Sequence, residues 1–215
     1  MGLAVKVGMY ADLIKRDHAH QIEVFANILK GINEVLKEEG FKKFNEPKKL
    51  KALHMRVGCD SLPYSYIHYL RRFYAHILSD ADWIPEPVDD DKSPTEDPIF
   101  EEQSLNFDSH LICHSDAEGF YLPIELDEVL FDLEDKGRII GGMLGSSYSL
   151  MDELLKIAPK LGITLIDNKL SDEEAEKINK LAQTEEGFYR EYHTWIILFE
   201  AARLSIEYKT AIIFT

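Results

Sequence analysis

The stretch richest in side chains able to do chemistry is His110-Leu-Ile-Cys-His114-Ser-Asp116-Ala-Glu118-Gly119. Two histidines four apart, with two carboxylates close behind, supply the donor types of a metal site. Geometry decides whether they can act together. On a helix, residues four apart share one face and reach one zinc ion. On a strand they also share a face but stand ~13 Å apart, too far for a common ion. The stretch reads as a strand entering a turn, so no metal site is expected from His110 and His114. His114, Asp116 and Glu118 can still converge within the turn as a polar ligand pocket. The alternative is that Ser115 and Asp116 simply hydrogen-bond their own backbone to shape it.

Three further groups invite the same comparison. In Tyr64–His76, His68, Arg72 and His76 form a helical line with Arg71 beside it and aromatics around. Arginine forks there suit a carboxylate or phosphate, and Tyr148 joins Arg71 and Arg72 as a possible contributor to a ligand pocket. The competing reading pairs these arginines with the acidic segment just downstream. Gly141-Gly-Met-Leu-Gly145-Ser-Ser147 precedes a helix and could cradle an anion, but it is neither a P-loop nor GxGxxG. Glycines that allow a tight turn explain it better. Asp89-x-Asp91-x-Ser93 begins like a calcium loop and fails at Pro94 and Phe100. No motif calls for a cofactor.

Charge is more telling than any motif. Asp and Glu number 39 against 24 Lys and Arg, a net of −15. Between Asp80 and Glu102 there are ten acids and one base, so this segment carries −9 and the rest of the chain −6. Such a field repels nucleic acid and anionic membranes and attracts basic proteins. Asp89, Asp90 and Asp91 are the natural centre of a partner-binding surface. Cys59 and Cys113 lie far apart, and Met1–Lys15 has no secretory pattern, so a cytoplasmic address with reduced thiols is expected.

The elements that must position these groups follow from periodicity. Leu3–Tyr10 alternates as a strand, and Asp17 is placed to cap a helix that Gly40 ends. His54–Gly58 suits a short strand. Ser61 is placed to cap a helix running to about Leu78, with Pro63 in its first turn. Residues 84–98, with four prolines and dense acid, read as an exposed surface loop. His110–His114 and Phe120–Leu126 read as a hairpin with Gly119 free to take a positive φ. A helix is expected from Ser149, a strand at Ile163–Ile166, a capping box at Ser171–Glu174, a long helix from Phe188 to Tyr208 and a closing strand at Ala211–Phe214. Glu200, Arg203 and Glu207 are spaced for structural ion pairs. The fold class is therefore α+β, a helix-rich single domain with a small, mainly antiparallel or mixed sheet.

His114-Ser-Asp-Ala-Glu-Gly-Phe-Tyr-Leu-Pro123, Gly141–Tyr148 and Phe199–Ile206 are together similar to an uncharacterised family of bacterial hypothetical proteins of about 200 residues with no assigned function. The resemblance implies a bacterial, cytoplasmic setting and one domain, and assigns no residue a role. Two functions stay open on residues alone. One is an acidic interaction module for a basic protein. The other is a small-molecule enzyme or binder with a polar pocket around His114, Asp116 and Glu118.

Overall fold

The computed structural model describes residues 2–59, 61–89, 91–132 and 137–215. Six strands form one mixed sheet in the order β2-β1-β6-β3-β5-β4, comprising β1 (Gly2–Val7), β2 (Ser61–Pro63), β3 (Gly119–Leu122), β4 (Leu130–Phe131), β5 (Met143–Ser146) and β6 (Ile212–Phe214). Only β3 and β5 run parallel; every other pairing is antiparallel. The helices are α1 (Met9–Lys15), α2 (Ala19–Glu38), α3 (Tyr64–Ser79), α4 (Pro98–Ser104), α5 (His110–Cys113), α6 (Ser147–Lys160), α7 (Asp172–Leu181) and α8 (Tyr189–Tyr208). The α+β expectation with a mixed sheet holds.

Strand alternation sorts the core into two layers. Phe120, Leu122 and Ile213 point to one face, where Phe25, Ile32, Val35 and Leu36 of α2 cover them. Tyr121, Ile212 and Phe214 point to the other, against α3, α6 and α8. α8 is buried around its whole circumference from Thr194 to Ala202, with α3, α6 and α7 packed about it. A helix so enclosed has no solvent face to read in its hydrophobic pattern.

Several local expectations are corrected. Gly8, at φ 74°, turns the chain after Val7, so Met9 and Tyr10 open α1 instead of finishing a strand. Asp17 sits at φ 56° and caps nothing; His18 holds the N-cap position of α2. Ser61 pairs with β1 as part of β2, and Pro63 stands at the N-cap of α3. Residues 54–58 and 163–165 carry no regular element, with a single bridge between Ile166 and Lys169. The α6 cap is Ser146, whose Oγ accepts from the amides of Tyr148 and Ser149, not Ser149 itself. The hairpin is absent: His110–Cys113 is one helical turn, and β3 pairs with β5 and β6. Ser171 does cap α7, accepting from Glu174 N, and Gly119 does take a positive φ of 132°.

Glu46, Glu153, Glu191 and Glu200 are buried within this frame. Burial pushes Glu46, Glu153 and Glu191 each up to about 7. Glu200 is held down at about 2, because hydrogen bonds from Arg203 and Arg56 outweigh its burial. A carboxylate whose folded pKa is raised stabilises the fold fully below its unfolded value of 4.5, and that stability is lost as pH rises through 7. His110 and His114, lowered to about 4 by burial, act the opposite way: their contribution is complete above 6.5 and is lost as pH falls through 4. Above pH 6.5 the histidines are therefore silent and the three glutamates dominate. Melting temperature is expected to fall from pH 6.5 to 8, by the equivalent of roughly 2 kcal/mol. Glu191→Gln should remove about a third of that slope. A flat or rising profile contradicts the assignment.

Candidate partner-binding surface

The acidic segment is not a free loop; inward-facing groups pin it at intervals. Trp83 stacks on His76 with ring centroids 4.7 Å apart and meets Phe73 edge-on at 5.0 Å. Lys160 Nζ donates to the carbonyls of Ala81 and Trp83 at 2.7 and 2.8 Å. Pro94 is buried in a 3-10 turn, Pro94–Glu96, whose preceding Ser93 accepts from Thr95 N. Asp97 is the main anchor. One oxygen accepts from Arg72 Nε at 2.7 Å and faces His76 Nε2 at 2.9 Å, while the other accepts from the amides of Ile99 and Phe100 to cap α4. These bonds hold the Asp97 carboxyl below its usual range against the effect of burial.

Between the pins, acids face water. Asp80, Asp82, Glu86, Asp89, Asp91, Glu96, Glu101 and Glu102 are all exposed, and among the described residues only Asp89 of these pairs with a base, Lys92, at 2.6 Å. Asp90 lies outside the described residues. The surface continues through α4, which packs on α3 and α5, toward α6. There burial pushes the Tyr74 phenol far up, and buried Glu153 and the exposed Asp108 and Asp152 add to it. Fixed backbone with solvated carboxylates is a preorganised anionic face: a cationic partner binding it orders few groups.

The two histidines of residues 110–119 face inward. On a helical turn His110 and His114 come close, yet their rings are occupied separately. His110 Nδ1 accepts from Ser146 N at 3.0 Å and its Nε2 meets Leu126 O at 3.1 Å. His114 is buried, stacks on Tyr121 at 4.0 Å, and has Nδ1 and Nε2 each 3.0 Å from the carbonyls of Ser115 and Phe120. Among the described residues no group of three or more His, Cys, Asp or Glu is placed to hold a metal ion.

Arg71 is buried as well. Its guanidinium donates to the carbonyls of Leu111, His114 and Ser115, closing the C-terminal end of α5. At the other end Glu153 accepts from the amides of His110 and Leu111 at 2.8 and 2.7 Å. A buried acid at the N-terminus and a buried base at the C-terminus thus satisfy a helical turn too short to stand alone. This is why a strand-like text folds as a helix.

Of the residues expected to line a ligand pocket, His114, Arg71 and Asp116 come together, with Asp116 Oδ2 3.0 Å from His68 Nε2. Glu118 is exposed near the turn. Arg72 belongs to Asp97, and Tyr148 to Lys209, whose ammonium lies 5.0 Å from its ring centre. The main surface cavities are lined by other residues, although Arg72 does border one of them. The glycine run does end at a helix start, but there the Oγ of Ser146, directly after Gly145, already accepts from the first free amides of α6, those of Tyr148 and Ser149. Gly141 and Gly142 make a turn before β5, and Gly145 lies so close under Tyr121 that an added Cβ would be 2.4 Å from its ring.

The ion pairs expected of Glu200, Arg203 and Glu207 form, but their further partner Arg56 escaped sequence reasoning. Arg56 reaches Glu200 with Nη2 at 2.6 Å, and its Nη1 donates to Leu170 O and Asp172. The signal was the charge of Glu200 beside the apolar run Trp195–Phe199.

A family model described as "Putative DNA-mimic protein" matches residues 1–214. No curated protein and no solved structure matches the chain.

Proposed function

The chain belongs to the DNA-mimic family, and from that premise we propose that it is an interaction module whose pinned acidic face occupies the DNA-binding surface of a basic protein. The observation that carries this reading is the row of exposed carboxylates from Asp80 to Glu102 on a backbone anchored by Trp83, Pro94 and Asp97. A DNA-binding face is selected to receive phosphates on Lys and Arg, with backbone amides and hydroxyls alongside. Carboxylates held at fixed positions offer the same acceptors and the same charge. The arginines of the protein itself do not cancel this face, because Arg71 is buried against carbonyls and Arg72 is tied to Asp97.

Immobilised protein should retain basic DNA-binding proteins from a nuclease-treated cell lysate. They should elute with duplex DNA and with rising salt, since exposed charges are screened within ~10 Å at 0.1 M. Retention dominated by neutral or acidic proteins, or unaffected by salt and DNA, overturns the reading.

A further inference from the structure

The densest basic text in this acidic chain, residues 42–51, is left unused by the acidic face. The structure lays part of it along α2. Asn33 grips Phe44 at both backbone groups: its Nδ2 donates to Phe44 O at 3.0 Å and its Oδ1 accepts from Phe44 N at 2.7 Å. Two residues on, Glu46 turns inward and accepts from Thr210 Oγ1 and Ala211 N, fastening the segment to the start of β6. The trough between segment and helix is therefore built into the fold.

Its volume is about 570 Å³, within the range of small-molecule sites. The α2 wall presents Ala26, Leu29, Lys30, Asn33, Glu34 and Lys37, a helical stripe ~16 Å long at 1.5 Å per residue. Tyr10, Leu29 and Phe44 give it an apolar lining. Four lysines also line it: Lys30, Lys37, Lys43 and Lys48. Lys30 faces Glu34 at 4.0 Å, whereas Lys37, Lys43 and Lys48 have no carboxylate partner among the described residues. Opposing them are Glu34, partnered by Lys30, and Glu46, whose oxygens are both occupied. In a chain of net −15, an elongated apolar trough bordered by unpaired ammonium groups is not explained by solubility.

We propose that this trough binds an elongated amphipathic anion, its apolar body along Tyr10, Leu29 and Phe44 and its carboxylate or phosphate head among Lys37, Lys43 and Lys48. Lysine acts on such a head as a point charge, and the apolar lining adds affinity that a bare inorganic anion cannot gain. The site is independent of the acidic face.

The test is an NMR titration of the ¹⁵N-labelled full chain with octyl phosphate below its micelle concentration. Inorganic phosphate and octyl glucoside serve as head-only and body-only probes, and decanoate separates phosphate from carboxylate selectivity. Octyl phosphate should shift the amides of residues 26–37 and 43–48 saturably, at least ten-fold more tightly than either half-probe. The exposed double variant Lys37→Gln/Lys43→Gln should weaken it ten-fold or more without changing the melting temperature. Ala26→Trp, which fills the trough and keeps every charge, should block it. Equal binding of inorganic phosphate or of octyl glucoside overturns the proposal. So does an absence of shifts in the trough, or shifts that follow protein concentration instead of ligand, which would mark contact with a second copy.

Discussion

Replacing Glu200 by alanine is expected to destabilise the protein by about 3–5 kcal/mol, a large part of the ~5–15 kcal/mol typical of a folded domain. Glu200 has no exposed side-chain surface and gathers two guanidinium groups. Arg56 reaches it through Nη2 at 2.6 Å, Nε at 3.2 Å and its backbone amide at 3.0 Å; Arg203 reaches it through Nη2 at 2.7 Å and Nε at 3.0 Å. Without the carboxylate, two half-buried cations face each other and the Arg56 amide loses its acceptor. The damage spreads because Arg56 also ties segment 54–58 to Leu170 O and to Asp172 at the start of α7. Urea unfolding measures the effect, with Arg203→Ala milder because Arg203 is the more exposed partner. A loss under about 1 kcal/mol for Glu200→Ala contradicts the assignment. Since the folded pKa of Glu200 lies near 2, this contribution is complete above 4.5 and disappears only as pH falls toward 2.

Neutralising the outward acids should do the opposite: leave stability intact and remove binding. In the variant Glu86→Gln/Asp89→Asn/Asp91→Asn/Glu96→Gln/Glu102→Gln, five exposed charges disappear while Trp83, Pro94 and Asp97 stay in place. At roughly 0.2–1 kcal/mol per exposed charge contact, affinity for the basic partner should fall about hundred-fold. Most of the loss should appear in the association rate and should shrink at high salt. The matched control neutralises five acids exposed elsewhere, Glu23, Glu173, Glu176, Glu185 and Glu186. Equal losses in both variants would mean that net charge alone matters and that the 80–102 face is not special.

How much of this was legible depended on how local the cause was. The α7 capping box lies within four residues and was readable, as were the long α2 and α8. The acidic face was visible as composition. Its pins were not, because Asp97 depends on Arg72 and His76, twenty-five and twenty-one positions earlier. The turn at His110–Cys113 misled because its helix is imposed by Arg71 and Glu153, each about forty residues away. Reading that turn as a strand left His114 and Asp116 looking available. The structure encloses His114 and gives Asp116 to His68. Ser61 looked like a helix cap because Pro63 followed, and only pairing with β1 makes it a strand residue. The pattern of Val129–Leu133 fits either a strand or a helical turn, and its end, with the rest of residues 133–136, lies outside the described residues.

The central claim is that this protein and DNA compete for one surface. The direct measurement is fluorescence anisotropy of a labelled duplex bound to a captured DNA-binding protein, titrated with the acidic chain at fixed ionic strength. The account predicts full displacement of the duplex, an apparent affinity that weakens in proportion to the duplex present, and displacement about hundred-fold weaker with the five-site neutral variant. Simultaneous binding of duplex and acidic chain in a ternary complex would contradict it.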